Sequence, residues 1–389
     1  MKRRKSVSEG TGYASVIDRV AARAAAAPAA LRPGRRGTSP RPAGRQLASL
    51  RSAPPVLLEQ LARHLMDDSY AARFEAPARS LELARLAVGC VEIVVESEDV
   101  GEEAAADLHA EALGYLGNAL RISSDLAGAE EALANAVELA QWGTGRPELK
   151  ATLLSLLASL RFAQGRPREA SRLLDREIAL RRRLAARERL GHALIDRGVV
   201  AASLEPVETA CVYLAEGVAR AAEPERILLA LQPLAERLAR DGDGEQARRV
   251  LGVAEGVATL VGGRSHSTRL QWIRGIAARA EGELAAARTL LQRVRETLAE
   301  EGSRFRAALV SLDLAAVHAA AGRPGEVRRL AEEAYSIFRA EGLERRALAA
   351  FLLFYRAARS ERASEELAVR VANLLARRRL SRTQGSSGR

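Results

Sequence analysis

A small residue recurs along this chain at near-constant spacing, and no other feature narrows its possible folds so far. Ala129, Ala170, Ala210, Ala247, Ala287 and, with a bulkier side chain, Val327 are separated by 41, 40, 37, 40 and 40 residues. Four of the six follow a glycine by five positions: Gly165, Gly242, Gly282 and Gly322. Glycine takes the left-handed conformation that ends a helix without steric penalty. After Gly165 and Gly322 the chain continues with Arg-Pro, and proline in the first turn of a helix gives up no hydrogen bond the helix needs. One stop-and-start signal repeated at this spacing predicts a row of helical hairpins.

Apolar residues inside each repeat agree. Leu154, Leu157, Ala158, Leu174 and Ile178 fall on helical spacings, as do Leu231, Leu234, Leu238, Leu251 and Ala254, giving one apolar stripe per helix. Gly117, Ala158, Gly198, Ala235, Gly275 and Ala315 occupy one equivalent slot. There two helices are expected to approach too closely for a large side chain. Composition fits an all-α chain: 48 % hydrophobic, 28 % charged and 4 % aromatic residues, with no alternating strand pattern.

Residues 110–141 carry the clearest copy. Leu116-Gly117, Ala129, Leu133 and Ala136 stand where the tetratricopeptide (TPR) pattern places its Leu-Gly and A-x3-F-x2-A residues. The repeats resemble a TPR array, with units longer than the usual 34 residues. They look most like the long arrays of bacterial signalling and transcriptional regulators. The resemblance implies an all-α solenoid of about six to eight antiparallel hairpins wound into a right-handed superhelix. It covers residues 55–379. Within them, the helices from Val56 and Pro77 form a divergent first hairpin, and 347–358 with 364–377 form a last one that lacks the glycine break and caps the end.

In TPR proteins the first helix of each unit lines a concave groove where extended peptides or helices dock. Carried over by position, the groove candidates are Tyr115, Asn118, Arg121, Ser159, Phe162, Asp196, Gln232, Glu236, Trp272, Arg279 and Asp313. Only Asn118 matches the Lys/Asn/Arg set with which chaperone-binding TPRs clamp a terminal carboxylate, so a chaperone co-factor of that kind is disfavoured. Trp272 reads as a groove anchor or as packing between repeats, with packing favoured. Phe351, Phe354 and Tyr355 either seal the last hairpin or form an exposed patch.

No catalytic set emerges. The chain lacks the P-loop, zinc-protease, C-x-x-C and G-x-S-x-G patterns. His64, His109, His192, His266 and His318 are scattered, and Cys90 and Cys211 stand 121 residues apart. No catalytic residue, metal ligand or cofactor is therefore expected, and the chain is not read as an enzyme. Gly262 to Ser267 is the most site-like stretch, a polar loop that equally serves as a linker. Arg181, Arg182, Arg183, Arg187 and Arg189 read as a solvated helix end, where cations suit the helix dipole.

The net charge of +11 is concentrated. Residues 1–54 hold twelve Lys and Arg against Glu9 and Asp18, a net of +10, which leaves +1 for the other 335. This segment is expected to be disordered, apart from a short Ala-rich stretch at 13–27 able to turn helical, and residues 380–389 form a second tail. The basic segment reads either as a solvated leader or as an arm for nucleic acid or anionic surfaces. It lacks the apolar core of a secretion signal, and no run reaches membrane-spanning length. A cytoplasmic location is expected. Two functions fit: an interaction scaffold that binds a protein or peptide segment in the groove, or a regulatory sensor whose peptide or small ligand alters the array. If the tail is an electrostatic arm, deleting 1–54 removes any DNA or anionic-lipid binding by the full chain. That binding also weakens steeply with salt in a titration.

Overall fold

The computed structural model describes residues 53–73, 76–97, 100–221, 223–340 and 345–379. The basic segment up to residue 52, with its Ala-rich stretch, and residues 380–389 lie outside the described residues. Among the described residues there are sixteen α-helices and no strand. In chain order these are α1 Pro55–Ala72, α2 Pro77–Val95, α3 Glu102–Ile122, α4 Leu126–Leu139, α5 Pro147–Ala163, α6 Pro167–Arg183, α7 Arg187–Leu204 and α8 Val207–Val218. They continue as α9 Pro224–Asp241, α10 Gly244–Val261, α11 Arg264–Ala280, α12 Leu284–Glu300, α13 Arg304–Ala320, α14 Pro324–Ala340, α15 Arg345–Arg359 and α16 Glu365–Arg379. Consecutive helices pair as antiparallel hairpins. They group into two compact units: an N-terminal unit that ends at Ala193 and a C-terminal unit from Leu194 to Arg379.

The repeat markers sit where helix meets helix. Ala129, Ala170, Ala210, Ala247, Ala287 and Val327 are all fully buried. Gly165, Gly242, Gly282 and Gly322 have φ of 71°, 93°, 81° and 67°, the left-handed turn expected after a helix. Ser124, five residues before Ala129, fills the same role at φ 79°, which is why that unit lacks the glycine. Six helices open on proline, at Pro55, Pro77, Pro147, Pro167, Pro224 and Pro324.

The small slot is filled as its pattern requires. A Cβ on Gly117 would lie 2.7 Å from Leu133 Cγ and 3.3 Å from the Ala129 carbonyl, across the α3–α4 contact. On Gly198 it would meet Leu214 at 2.5 Å, and on Gly275 Leu291 at 2.8 Å. In the first hairpin two serines do the joining. Ser69 Oγ donates to the Ser80 carbonyl and Ser80 Oγ to the Ser69 carbonyl, both at 2.8 Å.

The last hairpin departs from the expected end cap. α15 stacks on α14 through an aromatic group. Phe351 and Phe354 are fully buried, Phe338 packs edge-on to Phe351 at 5.0 Å, and Tyr335 stacks on Tyr355 at 4.7 Å. These aromatics seal the packing and are not an exposed patch. α16 turns back through Glu361, at φ 57°, and lies along the first helix α13. Its buried stripe, Ala368, Val371, Ala372 and Leu375, joins the core of the C-terminal unit. An i, i+3, i+4, i+7 stripe needs an apolar partner, and α13 offers one.

Gly275→Leu forces bulk against Leu291 and is expected to destabilise the chain by about 1–3 kcal/mol. Gly252, a helical glycine with open space around its would-be Cβ, gains about 0.5–1 kcal/mol on change to Ala. Denaturant melts of the two variants check both signs.

Candidate functional site

The first helices of the hairpins carry the groove candidates, and each unit presents its own set. In the N-terminal unit Tyr115 is buried with its ring edge-on to Tyr70, 6.0 Å between centroids. Burial pushes its phenol up to about 12, so it is a packing residue with a polar tip. Asn118 is buried one turn on, and its side-chain oxygen accepts from Arg121 Nη2 at 2.8 Å and Nε at 3.3 Å. Arg121, with Ser159 and Phe162 on α5, is half-buried. Beside them Arg161 donates through Nη2 to Glu130 Oε1 at 2.7 Å, and Gln164 Nε2 donates to the same carboxylate at 2.6 Å. The Arg161 hydrogen bond foremost, with help from Gln164 and against the effect of burial, holds Glu130 down to about 2.

In the C-terminal unit the candidates converge. Gln232, Glu236 and Arg240 recur every four residues along α9, and so lie on one face. Arg269 and Trp272 share a face of α11, and Arg306 and Asp313, seven apart, share one of α13. Asp313 is the hub. It accepts from the Trp272 indole Nε1 at 2.8 Å and from Arg240 Nη1 and Nη2 at 3.0 and 3.2 Å. Arg240 Nε also donates to Glu236 at 3.0 Å, and Glu236 accepts from Arg269 Nη2. The Arg269 guanidinium lies 5.3 Å from the Trp272 ring centre. Gln232 Nε2 is 3.2 Å from His266 Nδ1. Burial by itself lowers the Arg240 pKa, but Asp313 and Glu236 outweigh it and raise the value. Trp272 is 1 % exposed, so it packs between repeats and is not a free anchor.

α16 covers part of this face. Arg240 Nη1 donates to Asn373 Oδ1 at 2.9 Å, and Arg279 Nη1 to Glu365 Oε1 at 2.6 Å. Both arginines are the penultimate residues of their helices, so these tethers sit at the C-terminal ends of α9 and α11. Asp196, on α7, stands apart from the hub, half-buried and bonded by Arg226 Nη1 at 3.2 Å.

Several participants lie outside the candidates taken from the repeat pattern. Arg240, Arg269 and Arg306 extend the same helical stripes by four, three and seven residues, and that spacing was the available signal. Glu365 and Asn373 had none, because α16 leaves the repeat register. His266 lies on the first turn of α11, so the polar stretch from Gly262 is a two-glycine link and not a six-residue loop. Of the arginine run, Arg181 is buried and bonds Glu177 and Thr152, at 3.4 and 3.2 Å. Arg182, Arg183, Arg187 and Arg189 are exposed.

Burial acts on both cysteines and on two of the histidines. Burial raises the thiols of Cys90 and Cys211, the latter to about 12, and only the thiolate is a nucleophile. Burial lowers His109 and His318, which favours the neutral ring in both. No helix among the described residues is long and apolar enough to cross a membrane.

Asp313→Ala leaves the buried Arg240 and Trp272 donors without their acceptor, and costs about 3–5 kcal/mol. Asp196→Ala takes a part-exposed acceptor from Arg226, itself buried, and costs less, about 1–3 kcal/mol. Urea titration of both variants is the check.

Comparison with known proteins returns the fold. No family model and no curated protein matches the sequence. Among solved structures, a Rap protein complexed with competence and sporulation factor aligns at a TM-score of 0.61 and 12 % identity, over 83 % of this chain and 88 % of that one. A STAND signal-transduction ATPase with a tetratricopeptide repeat sensor, from Pyrococcus horikoshii, aligns at 0.48 and 16 % identity over 82 % of this chain. It is matched over 47 % of its own length, so this chain spans about half of that ATPase. The chain has a TPR-like fold of stacked helical hairpins.

Proposed function

We propose that this chain is a non-enzymatic interaction module whose first-helix faces bind a protein or peptide segment. The observation that carries the reading is the separation of roles within each hairpin. Small residues and apolar stripes are spent on helix contacts, while Asn118, Arg121, Ser159, Phe162, Gln232, Glu236 and Arg279 gather polar and aromatic groups on the first helices. Such a surface offers donors and acceptors to an extended backbone and apolar ground to its side chains. The Rap protein that shares the fold was solved in complex with competence and sporulation factor, which is consistent with a face of this kind taking a signalling ligand.

A regulatory version is favoured by α16. It is tethered to the ends of α9 and α11 by the Arg240–Asn373 and Arg279–Glu365 bonds, two contacts that a ligand on the same face would compete for. A ligand that binds better when α16 is released shifts the equilibrium by that difference in affinity.

The test is to pan the full chain against a displayed random-peptide library. Selected peptides are expected to lose at least tenfold in affinity on Phe162→Ala with Arg121→Glu, or on Gln232→Ala with Arg279→Glu. Under the regulatory version, amide exchange in α16 speeds up when peptide binds the C-terminal unit. Peptides indifferent to both double variants would sink the groove reading.

A further inference from the structure

The near-neutral charge of the array conceals a strong local imbalance. Residues 86–145 hold twelve Asp and Glu against one basic residue, Arg121, a net of −11. Several of these carboxylates collect at one edge of the N-terminal unit. Ser69 and Ser80 join the far end of the α1–α2 hairpin, so the start of α1 and the end of α2 meet at the opposite end. There Leu58 and Val94 share a core cluster, with Ala53 and Val100 packed against it. α3 starts at this edge and α4 returns to it. Glu92 and Glu96 stand at the end of α2, Glu102 and Glu103 open α3, and Glu138 closes α4. All five are exposed, and none forms an ion pair among the described residues.

Trp142 stands at the same edge, on the link from α4 to α5. At 73 % it is the most exposed large apolar side chain among the described residues. Its link is held in place by Asp107, a buried residue of α3. Thr144 donates to Asp107 Oδ2 through its backbone N at 3.3 Å and through Oγ1 at 2.5 Å, and the carboxylate leaves no room for a Cβ on Gly143. Glu103 lies one turn before Asp107 on α3, and so on the face that meets this link. A large ring held in water by a fixed backbone loses little freedom on binding, and tryptophan is a common anchor of interfaces.

Unpaired carboxylates around an exposed indole fit a segment rich in arginine and proline. Guanidinium forks pair with carboxylates and stack on tryptophan. Proline-rich chain, already extended, docks on aromatic side chains at small entropic cost. This protein carries such a segment. Between Leu31 and Arg51 lie six arginines, Arg32, Arg35, Arg36, Arg41, Arg45 and Arg51, with three prolines and no acidic residue.

We infer that residues 31–51 dock on this edge of their own molecule, apart from the first-helix faces. The segment joins the fold at Ala53, which packs at the same edge. Crossing from α1 to α4 takes about 20–30 Å, at 8–10 Å between neighbouring helices. In polyproline form the segment reaches about 60 Å, at ~3.1 Å per residue. Docked, its arginines offset much of the acidic charge and are withheld from nucleic acid or any anionic surface.

Acrylamide, an uncharged quencher, reads Trp142 in the full chain, and a Trp142→Phe variant supplies the contribution of the buried Trp272. The parent is expected to be shielded. Quenching should rise to that of an exposed indole in the sixfold variant R32Q, R35Q, R36Q, R41Q, R45Q and R51Q, and in the triple variant E102Q, E103Q and E138Q. It should rise likewise in about 1 M salt, where the Debye length is about 3 Å; this arm needs no variant. The variant K2Q, R3Q, R4Q and K5Q should match the parent. A labelled peptide of residues 29–52 should bind the sixfold variant, and less well once Trp142→Ala is added. It should bind the parent about tenfold more weakly, because the tethered copy competes at an effective concentration near mM.

Equal quenching of the parent, the sixfold variant and the parent in salt would overturn the proposal. Shielding that is lost in the sixfold variant but kept in the triple variant would put the segment elsewhere and reject this edge. A peptide that binds parent and sixfold variant alike would leave the edge open to a partner in trans, and would reject the tethered occupant. A parent whose mass by light scattering rises with concentration, beside a monomeric sixfold variant, would place the segment on a second copy and reject docking within one chain.

Discussion

Everything in the fold depends on how closely two helices of a hairpin can approach. At Gly117, Gly198 and Gly275 the facing leucine sits where a side chain would begin, with Leu133, Leu214 and Leu291 within 2.5–2.8 Å of the missing Cβ. Contact at that range fixes the rotation of each helix about its own axis, because only one face is bare enough to meet its partner. Once the rotation is fixed, the remaining faces have set destinies. The apolar stripe of a first helix turns to its neighbours, and the residues beyond it are left pointing away from the second helices.

What those residues do differs between the units. In the N-terminal unit they are buried or half-buried and largely local, as with Arg121 on Asn118. In the C-terminal unit they close into a network around Asp313, from which water is nearly excluded. Interior charge is costly unless it is paired with good geometry. Arg240 meets that condition with two carboxylates and the Asn373 amide. The network therefore specifies the register of α9, α11 and α13 against one another, since a slip of one turn would separate Trp272 and Arg240 from Asp313.

Most of the architecture was legible in the chain because it is written in residues that backbone geometry selects. A glycine five positions before a small residue states both a helix end and a helix contact, and Ser124 shows the limit of that rule. The sequence does not announce that a serine will take a left-handed turn, which is uncommon outside glycine and Asn/Asp. The candidate face was legible as a set of positions but not as a chemistry. Helical spacing placed Glu236, Trp272 and Asp313 on first helices. That they meet through Arg240 and Arg269 depends on the offset between neighbouring repeats, which spacing within one helix does not encode. The path of α16 was illegible for a related reason: its apolar stripe fits the next place in the stack as well as it fits α13. Trp272 was readable as packing because a large ring in a small-residue repeat has few other places to go.

That path has a consequence for how the C-terminal unit assembles. Stacked repeats ordinarily touch only their sequence neighbours, so they can form one after another and loosen one at a time. The Arg240–Asn373 bond joins residues 133 apart, and Arg279–Glu365 joins residues 86 apart. Contacts of that span raise the contact order of a topology that is otherwise local, and closing such loops slows folding. During synthesis α9 and α11 emerge long before α16, so the tethers wait for α16. Once made, they bind the fate of the first hairpins in the unit to that of the last, and its opening becomes a single cooperative event where a simple array would fray from its end.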